Sequence, residues 1–287
     1  MKIKKDQKLK DYTTIGIGGP VPIVYLPETE SELVDLLKNL STEKKSYRIL
    51  GNGSNILADD RGLKDAIVCT KNLQRIFGVE DNKVHVDAGY PVAQLAYQTA
   101  AKSLSGMEFA IGIPGSIGGV VRMNAGAHKR TISEVVDSVR MVMPDCRLVT
   151  ARNQDLHFTY RSSAIPRDAI IIEVTLQLHA GDSKEIHEKI RRFNDERTST
   201  QPLREKSAGC IFKNPVESSA GKLIEDSGLK GHQVGGARVS EMHANFIVNR
   251  GDASFQDVLK LIDHIKDVVR EKKGVSIQEE VVIWRRD

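Results

Sequence analysis

Residues 111–126 read Ile-Gly-Ile-Pro-Gly-Ser-Ile-Gly-Gly-Val-Val-Arg-Met-Asn-Ala-Gly, with glycines at 112, 115, 118, 119 and 126. Such a stretch can bring its amides close to a ligand, because glycine lacks a side chain and accepts positive φ. Successive backbone N–H groups then form anion-binding nests. A Walker loop needs Lys and Ser or Thr after its last glycine, and Val120-Val121 stand there instead. The spacing does not match the G-x-G-x-x-G of a dinucleotide-binding βαβ unit either. The stretch points to a phosphorylated cofactor held in another way, with a purely structural glycine turn as the alternative.

The 287 residues allow about two domains, with three small ones as the upper limit. A 40% hydrophobic and 28% charged composition is that of an ordinary globular protein. The first ten residues are dominated by Lys, Asp and Gln, unlike a secretory signal. The longest apolar-rich run, 169–178, is interrupted by Glu173 and is too short to span a bilayer, so no membrane insertion is expected. Cys69, Cys146 and Cys210 are far apart and form no C-x-x-C, which argues against a disulfide framework or a metal site and suits a reducing cytoplasm. A net charge of +4 permits an anionic small ligand. The basic residues are scattered without interleaved aromatics, so no nucleic-acid partner is expected.

Along the chain, 23–26 reads as a strand, and Thr29 with Glu32 forms a capping box opening a helix to about Leu40. Residues 47–50 form a strand that runs into a second glycine loop, Gly51-Asn-Gly-Ser-Asn55, and 66–70 is another strand. Residues 76–88 read as a hairpin turning at Asp81-Asn82, followed by a helix from Pro91 to about Leu104. A hairpin over 138–150 turns near Pro144-Asp145, and 169–179 is a long strand with a buried isoleucine-rich start. A charged helix from Ser183 to about Thr198 connects the two halves. The second half reads as strand 210–213, helix 220–227, strand 244–249, a helix capped by Ser254 and Asp257 and ending before Gly274, and a final strand 275–284. Without a regular βαβ period the class is α+β.

Two glycine loops, each next to a strand, can clasp a pyrophosphate from both sides, and Asn52, Ser54 and Asn55 add side-chain donors. As Asn/Gly-rich turns they also have a simple structural reading. In Ser207-Ala-Gly-Cys-Ile-Phe-Lys-Asn-Pro215, strict alternation points Cys210 and Phe212 one way and Ile211 and Lys213 the other. Cys210 is either a small buried hydrophobe or a proton donor or nucleophile, since a thiol of reference pKa about 8.5 is mostly protonated at neutral pH. Arg161 follows Tyr160 between loop-like segments, where a surface salt bridge is its plainer role. In the last strand, alternation puts Glu279 on the apolar face with Val275, Ile277, Val281 and Ile283, and Glu280 on the other. His243, before an apolar run, is a ligand contact or a satisfied core histidine.

Together these segments resemble the UDP-N-acetylenolpyruvoylglucosamine reductase family. The match runs through Thr13-Thr-Ile-Gly-Ile-Gly-Gly19, 51–57, 111–126, Tyr160-Arg161, Ala208-Gly-Cys-Ile-Phe-Lys-Asn-Pro215, Ala220-Gly-Lys-Leu-Ile-Glu225 and His243-Ala-Asn245 to Glu280, covering nearly the whole chain. It is to the shorter members, without the extra substrate-covering loop. The resemblance implies a two-part FAD-binding region of the p-cresol methylhydroxylase or vanillyl-alcohol oxidase type, residues 1–70 and 71–182, and a smaller substrate domain, 183–287. FAD would be held non-covalently by Gly51, Asn52, Gly53, Ser54, Asn55 and Ile56 on one side. Gly112, Pro114, Gly115, Ser116, Gly118, Gly119, Asn124 and Gly126 would form the other, with no metal.

The implied reaction uses NADPH as reductant and UDP-N-acetylglucosamine enolpyruvate as substrate, giving UDP-N-acetylmuramate for peptidoglycan. Hydride reaches C3 of the enol ether and negative charge gathers at C2 and the carboxylate, so the site needs fixed charge and a proton donor. By motif position Arg161 and Glu280 are the stabilising pair and Cys210 is the donor, standing where many members have serine. Glu280 rather than Glu279 is selected by the resemblance, because the family's carboxylate immediately precedes the valine. Tyr160, Lys213, Asn214 and His243 are the implied substrate contacts. Two other readings remain at this level: another flavin oxidoreductase of the same fold, and a nucleotide-binding module without catalysis.

Overall fold

The protein is described from a computed structural model covering residues 1–286; Asp287, which closes the 183–287 block, lies outside the described residues. The chain forms two compact units, each assembled from separated segments. One contains Met1–Lys5, Ile23–Asn52 and Asp65–Arg197; the other contains Asp6–Pro22, Gly53–Lys64 and the residues from Thr198 onward. These units differ from the continuous blocks 1–70, 71–182 and 183–287. Most of the helix that begins at Ser183 stays with the first unit, and 6–22 and 53–64 join the second.

Pro20–Leu26, which enters the first unit at Ile23, lies beside Ala66–Cys69 and then Tyr47–Leu50 of that unit, in that order and all parallel. Helix α1, Glu30–Thr42, leads from the first of these strands to the last in space. Thr29 caps it by accepting the Glu32 N–H at 3.2 Å. The Glu32 carboxylate reaches back to the N–H of Glu28 at 2.8 Å, one residue beyond the expected reciprocal bond. An antiparallel sheet runs in the order Leu148–Arg152, Val136–Val142, Ile170–Gln177, Lys83–Asp87 and Ile76–Glu80. Asp81 and Asn82 join the last two strands with φ of 48° and 62°, the left-handed pair that a tight two-residue hairpin requires. The central strand explains the isoleucine run: Ile170 and Ile172 pack with Leu33, Leu36, Leu37 and Leu40 of α1. Ile171 and Val174 enter a second cluster with Leu95 and Ala96. A strand covered on both faces has no polar side to display.

Helix α2, Val92–Ala101, stops short of the expected Leu104, because Ser103 turns into the left-handed region at φ 56° and Leu104–Ser105 pairs with His179–Ala180. A short helix α3, Ile117–Arg122, lies inside the glycine stretch, which carries no helical pattern of its own. Helix α4 is Ser183–Thr200.

The second unit has an antiparallel sheet in the order Lys206–Cys210, Phe246–Asn249, Ala237–Val239 and Gln233–Val234, with helices α5, Ala220–Glu225, and α6, Phe255–Lys273. Ser254 and Asp257 form the full reciprocal cap of α6, and Gly274 ends it at φ 68°. Phe255, Val258, Leu261, Ile262, Ile265 and Val269 of α6 are buried, and Ile15, Ile17 and Leu57 join the same core. Two expected strands are corrected. The strand placed at 210–213 lies at Lys206–Cys210, because Gly209 at φ 74° shifts the register before Cys210 and ends the ladder there. The strand placed at 275–284 is reduced to Val282–Trp284, paired in parallel with Ile56–Ala58.

Candidate active site

In the first unit the two glycine loops meet. Strand Tyr47–Leu50 delivers Gly51-Asn52, and Asn52 Nδ2 donates to the Pro114 carbonyl at 2.9 Å. Ser116 is fixed opposite by an isolated bridge to Pro91, with Ile117 N–H on the Tyr90 carbonyl and Val92 N–H on the Gly115 carbonyl, both at 2.9 Å. The Ser116 Oγ is buried and has no hydrogen-bond partner among the described residues. A Cβ on Gly51 would stand 2.7 Å from that oxygen. An unpaired buried hydroxyl costs about 1–3 kcal/mol. A gap kept open by glycine beside such a donor fits a phosphate oxygen, so these residues fit the diphosphate of FAD.

The glycines do not all serve that gap. Gly118 gives its N–H to the Ala88 carbonyl at 2.8 Å, and a Cβ there would come within 2.8 Å of Ala88 Cβ, so it serves close packing. Gly115 N–H is taken by the Ile113 carbonyl at 2.9 Å. With Gly115, Ile117 and Gly118 satisfied internally, the open nest expected over the whole stretch is narrowed to its Ser116 end. At Gly112 a Cβ would meet Arg197 Cδ at 2.1 Å, and at Gly126 it would meet the Arg130 carbonyl at 2.1 Å across a small hairpin. Gly119 is unconstrained beyond ordinary contact with Ser116. The Asn124 side chain is engaged at both ends, donating to the Thr159 carbonyl at 2.9 Å and accepting from Ser133 N–H at 3.2 Å.

Tyr160 and Arg161 form the tip of a tight turn closed by Thr159 and Ser162. Tyr160 is exposed, and the Arg161 guanidinium lies 5.3 Å from its ring centroid. Arg161 Nη2 also reaches the Gly126 carbonyl at 3.4 Å. A stacked guanidinium keeps its charge while losing freedom.

In the second unit, Gly53 is required: at φ 68° a Cβ would sit 2.0 Å from the Tyr12 carbonyl oxygen. Its own carbonyl accepts Thr14 N–H at 3.1 Å. Ser54 is next to Gly209, whose Cβ position lies 3.8 Å from the Ser54 carbonyl oxygen. Asn55 Nδ2 donates to the Glu280 carbonyl at 3.1 Å, which takes one of its two amide hydrogens. Ile56 opens the parallel pair opposite Val282.

Cys210 ends its strand opposite Phe246. The Glu280 N–H then donates to the carbonyl of Ile211, the next residue, at 2.7 Å. Alternation fails beyond Cys210, because Ile211 and Phe212 are both fully buried. The cause is Asn245, whose Oδ1 accepts Phe212 N–H at 2.9 Å while Nδ2 donates to the Phe212 carbonyl at 2.8 Å. One side chain thus does the work of a neighbouring strand. On the other side Lys213 N–H donates to the Gln278 carbonyl at 2.8 Å. Glu279 is committed elsewhere, to Lys266 Nζ at 2.9 Å. Burial pulls its carboxyl upward, but the Lys266 hydrogen bond, its own backbone and the Lys266 and Arg285 charges outweigh that and hold it below the usual range.

Asn214 and His243 gather around the start of α5. Asn214 Oδ1 accepts Ala220 N–H at 3.0 Å. His243 packs its Cε1 3.2 Å from the Cβ position of Gly221, and its Nδ1 accepts Asn245 N–H at 3.2 Å, which puts the proton of the neutral ring on Nε2. Asn245 and Thr14, whose Oγ1 donates to the Ser207 carbonyl at 2.6 Å, were not singled out from the sequence as site residues. Their only local signal is an amide or hydroxyl inside a motif. Among the described residues no group of three or more His, Cys, Asp or Glu can hold a metal ion.

The profile of the UDP-N-acetylenolpyruvoylglucosamine reductase C-terminal domain matches residues 201–284, and that of an FAD binding domain matches 21–152. The UDP-N-acetylenolpyruvoylglucosamine reductase of Halalkalibacterium halodurans is 39% identical over 98% of this chain and 93% of its own length. The Bacillus subtilis reductase is also 39% identical, over 98% of this chain and 94% of its own. The chain belongs to the UDP-N-acetylenolpyruvoylglucosamine reductase family. The crystal structure of the Thermus caldophilus reductase superimposes with a TM-score of 0.85 at 35% identity, covering 99% of both chains. The α+β class is therefore the reductase family's own. Within the family's two profiles, the glycine loops fall in the FAD binding domain and Cys210, Lys213, Asn214, His243 and Glu280 in the C-terminal domain, while Tyr160-Arg161 lies between the matches.

Proposed function

We infer that this chain is an FAD-dependent, NADPH-consuming oxidoreductase that reduces UDP-N-acetylglucosamine enolpyruvate to UDP-N-acetylmuramate in peptidoglycan precursor synthesis. The relatives that it matches along nearly the whole length of both chains carry that reductase name. The cofactor, bound non-covalently, supplies two-electron hydride transfer. Ser116 would donate to a diphosphate oxygen beside Gly51, with Asn52 joining the two loops around it. The other loop residues shape this cradle through their backbones.

Arg161 meets the substrate carboxylate, where negative charge accumulates as hydride arrives at C3. The Glu280 carboxyl, in its protonated form, hydrogen-bonds the developing oxyanion, and the Cys210 thiol donates its proton to C2. The observation that carries this reading is the Ile211 carbonyl, which ties the backbone of Glu280 to the residue after Cys210. A donor and a stabilising acid belonging to one transition state must be held in fixed register. Tyr160, Lys213, Asn214 and His243 hold the uridine diphosphate part. Three free thiols suit the cytoplasm, and among the described residues no helix is long and apolar enough to cross a membrane.

An absorbance experiment tests this. The purified protein should be yellow, bleach with NADPH and regain colour on adding the enolpyruvyl nucleotide without oxygen. Recolouring only with oxygen and a sugar substrate would indicate an oxidase of the same fold. No bleaching would leave a binding module.

A further inference from the structure

The turn that carries Arg161 is strained and held from both flanks by the C-terminal part of the glycine stretch. Thr159 and Ser162 exchange backbone hydrogen bonds of 3.0 and 3.2 Å, and Ala164 N–H returns to the Leu156 carbonyl at 2.8 Å. Arg161 sits at φ 55°, a region that an arginine seldom adopts and that glycine would occupy more readily. Strain of this kind persists where the surroundings over-determine it.

Those surroundings are specific. On one flank, the Asn124 amide donates to the Thr159 carbonyl at 2.9 Å. On the other, Ser163 Oγ donates to the Arg122 carbonyl at 2.8 Å. The half-buried Arg122 guanidinium reaches on to the carbonyls of Pro166, Arg167 and Ala169. Asn124 is itself left-handed at φ 41°, only 5% exposed, and anchored through Oδ1 to Ser133. Helix α3 runs directly from Ser116, which borders the cofactor gap, to Arg122.

We propose that Asn124 is a positioning residue for Arg161: through the Thr159 carbonyl it fixes the turn, and so the point at which the guanidinium is presented to substrate. An arginine at a hairpin tip swings with the hairpin, and its long side chain magnifies any tilt of the base. Ties at both flanks, one from either side of Met123, remove that tilt. The proposal rests on the reading of Arg161 as the group that meets the substrate carboxylate.

The test is a double-mutant cycle on the FAD holoenzyme. Asn124→Asp keeps the acceptor for Ser133 and tolerates a left-handed backbone, but loses the donor to Thr159. Each of Asn124→Asp, Arg161→Ala and the double variant is assayed for FAD content, flavin reduction by NADPH, and reoxidation by the enolpyruvyl nucleotide. Asn124→Asp should keep its FAD and be reduced normally, while its maximal reoxidation rate falls about 10- to 100-fold with little change in half-saturating nucleotide. Arg161→Ala should fall about 100- to 1,000-fold. The double variant should be no slower than Arg161→Ala alone, because a residue acting through another loses its effect once that one is gone. Normal reoxidation in Asn124→Asp, or a double variant slower by the full product of the two factors, overturns the proposal. Normal reoxidation in Arg161→Ala overturns the reading of Arg161 as well and identifies it as the cause. Should Asn124→Asp fail to retain FAD, Ser163→Ala cuts the opposite tie and must show the same non-additive pattern.

Discussion

The loops around Ser116 and the segment around Cys210 are both irregular, but they are held by opposite means. Around Ser116 the shape is kept mainly by missing atoms and backbone bonds, with the Asn52 side-chain amide joining the two loops. Gly51 leaves the gap, Gly118 lets α3 approach Ala88, and bonds to Pro114, Tyr90 and Ala88 fix the rest. Around Cys210 the shape is kept by side-chain amides. Asn245 substitutes for a strand beside Phe212, and Asn55 holds Glu280. A backbone-built site fails when an atom is added, and one built from amides fails when an atom is removed. On the proposed reading, the first would suit a ligand that stays bound, and the second would place individual side chains at a reacting carbon.

The largest expected effect lies on the amide-built side. Cys210→Ala should permit flavin reduction by NADPH but slow reoxidation by the enolpyruvyl nucleotide about 10²- to 10⁴-fold, the range of a lost general acid. Stopped-flow traces with normal reoxidation would remove Cys210 from the chemistry. Next is Asn245→Ala, which strands the buried N–H and carbonyl of Phe212 and should cost about 2–6 kcal/mol in chemical denaturation. A loss below about 1 kcal/mol would mean that the amide is not what replaces the strand.

Ser116→Ala sharpens the comparison because its two effects have opposite signs. Without FAD the variant should be as stable as the parent or slightly more so, since an unsatisfied buried hydroxyl is gone. Its affinity for FAD, followed by flavin fluorescence, should fall about 10- to 100-fold, as for one hydrogen bond to a charged group. Unchanged affinity would exclude Ser116 from the cradle. The smallest effect is a pH dependence. The Glu279 carboxyl is held below its unfolded value, so its ion pair with Lys266 stabilises the fold above the unfolded pKa of about 4.3. That contribution is lost as pH falls through the lower folded value. Lys266→Met should therefore flatten the acid limb of the stability profile, and an unchanged limb in thermal melts from pH 3 to 6 would refute the assignment.

Much of both units was legible where the signals are local. Asp81-Asn82, the Ser254 and Asp257 cap, Gly274 and the isoleucine run each act within a few residues, and each appears where the sequence put it. The motifs quoted for the family also pointed to both glycine loops. What escaped depends on distant partners. No local pattern shows that Gly209 will turn left-handed and end a strand, or that Glu279 will find Lys266 rather than an apolar face. Nor does one show that 53–64 will pack with 198–286, since that arrangement rests on bonds such as Asp60 with Phe255 N–H. Alternation failed beyond Cys210 for the same reason, because a remote asparagine supplies the partner that it assumes.

The parallel pair of Ile56–Ala58 with Val282–Trp284 also bears on how the chain is made. Among the described residues Ile56–Ala58 has no other strand partner, and 225 residues separate Asn55 from the Glu280 carbonyl that it holds. At synthesis rates of about 5–20 residues per second, the early strand waits on the order of 10–45 s for its mate to emerge. For that interval the nascent chain carries the apolar segment Ile56-Leu57-Ala58 as an unpaired strand edge, which closes only once 282–284 has emerged.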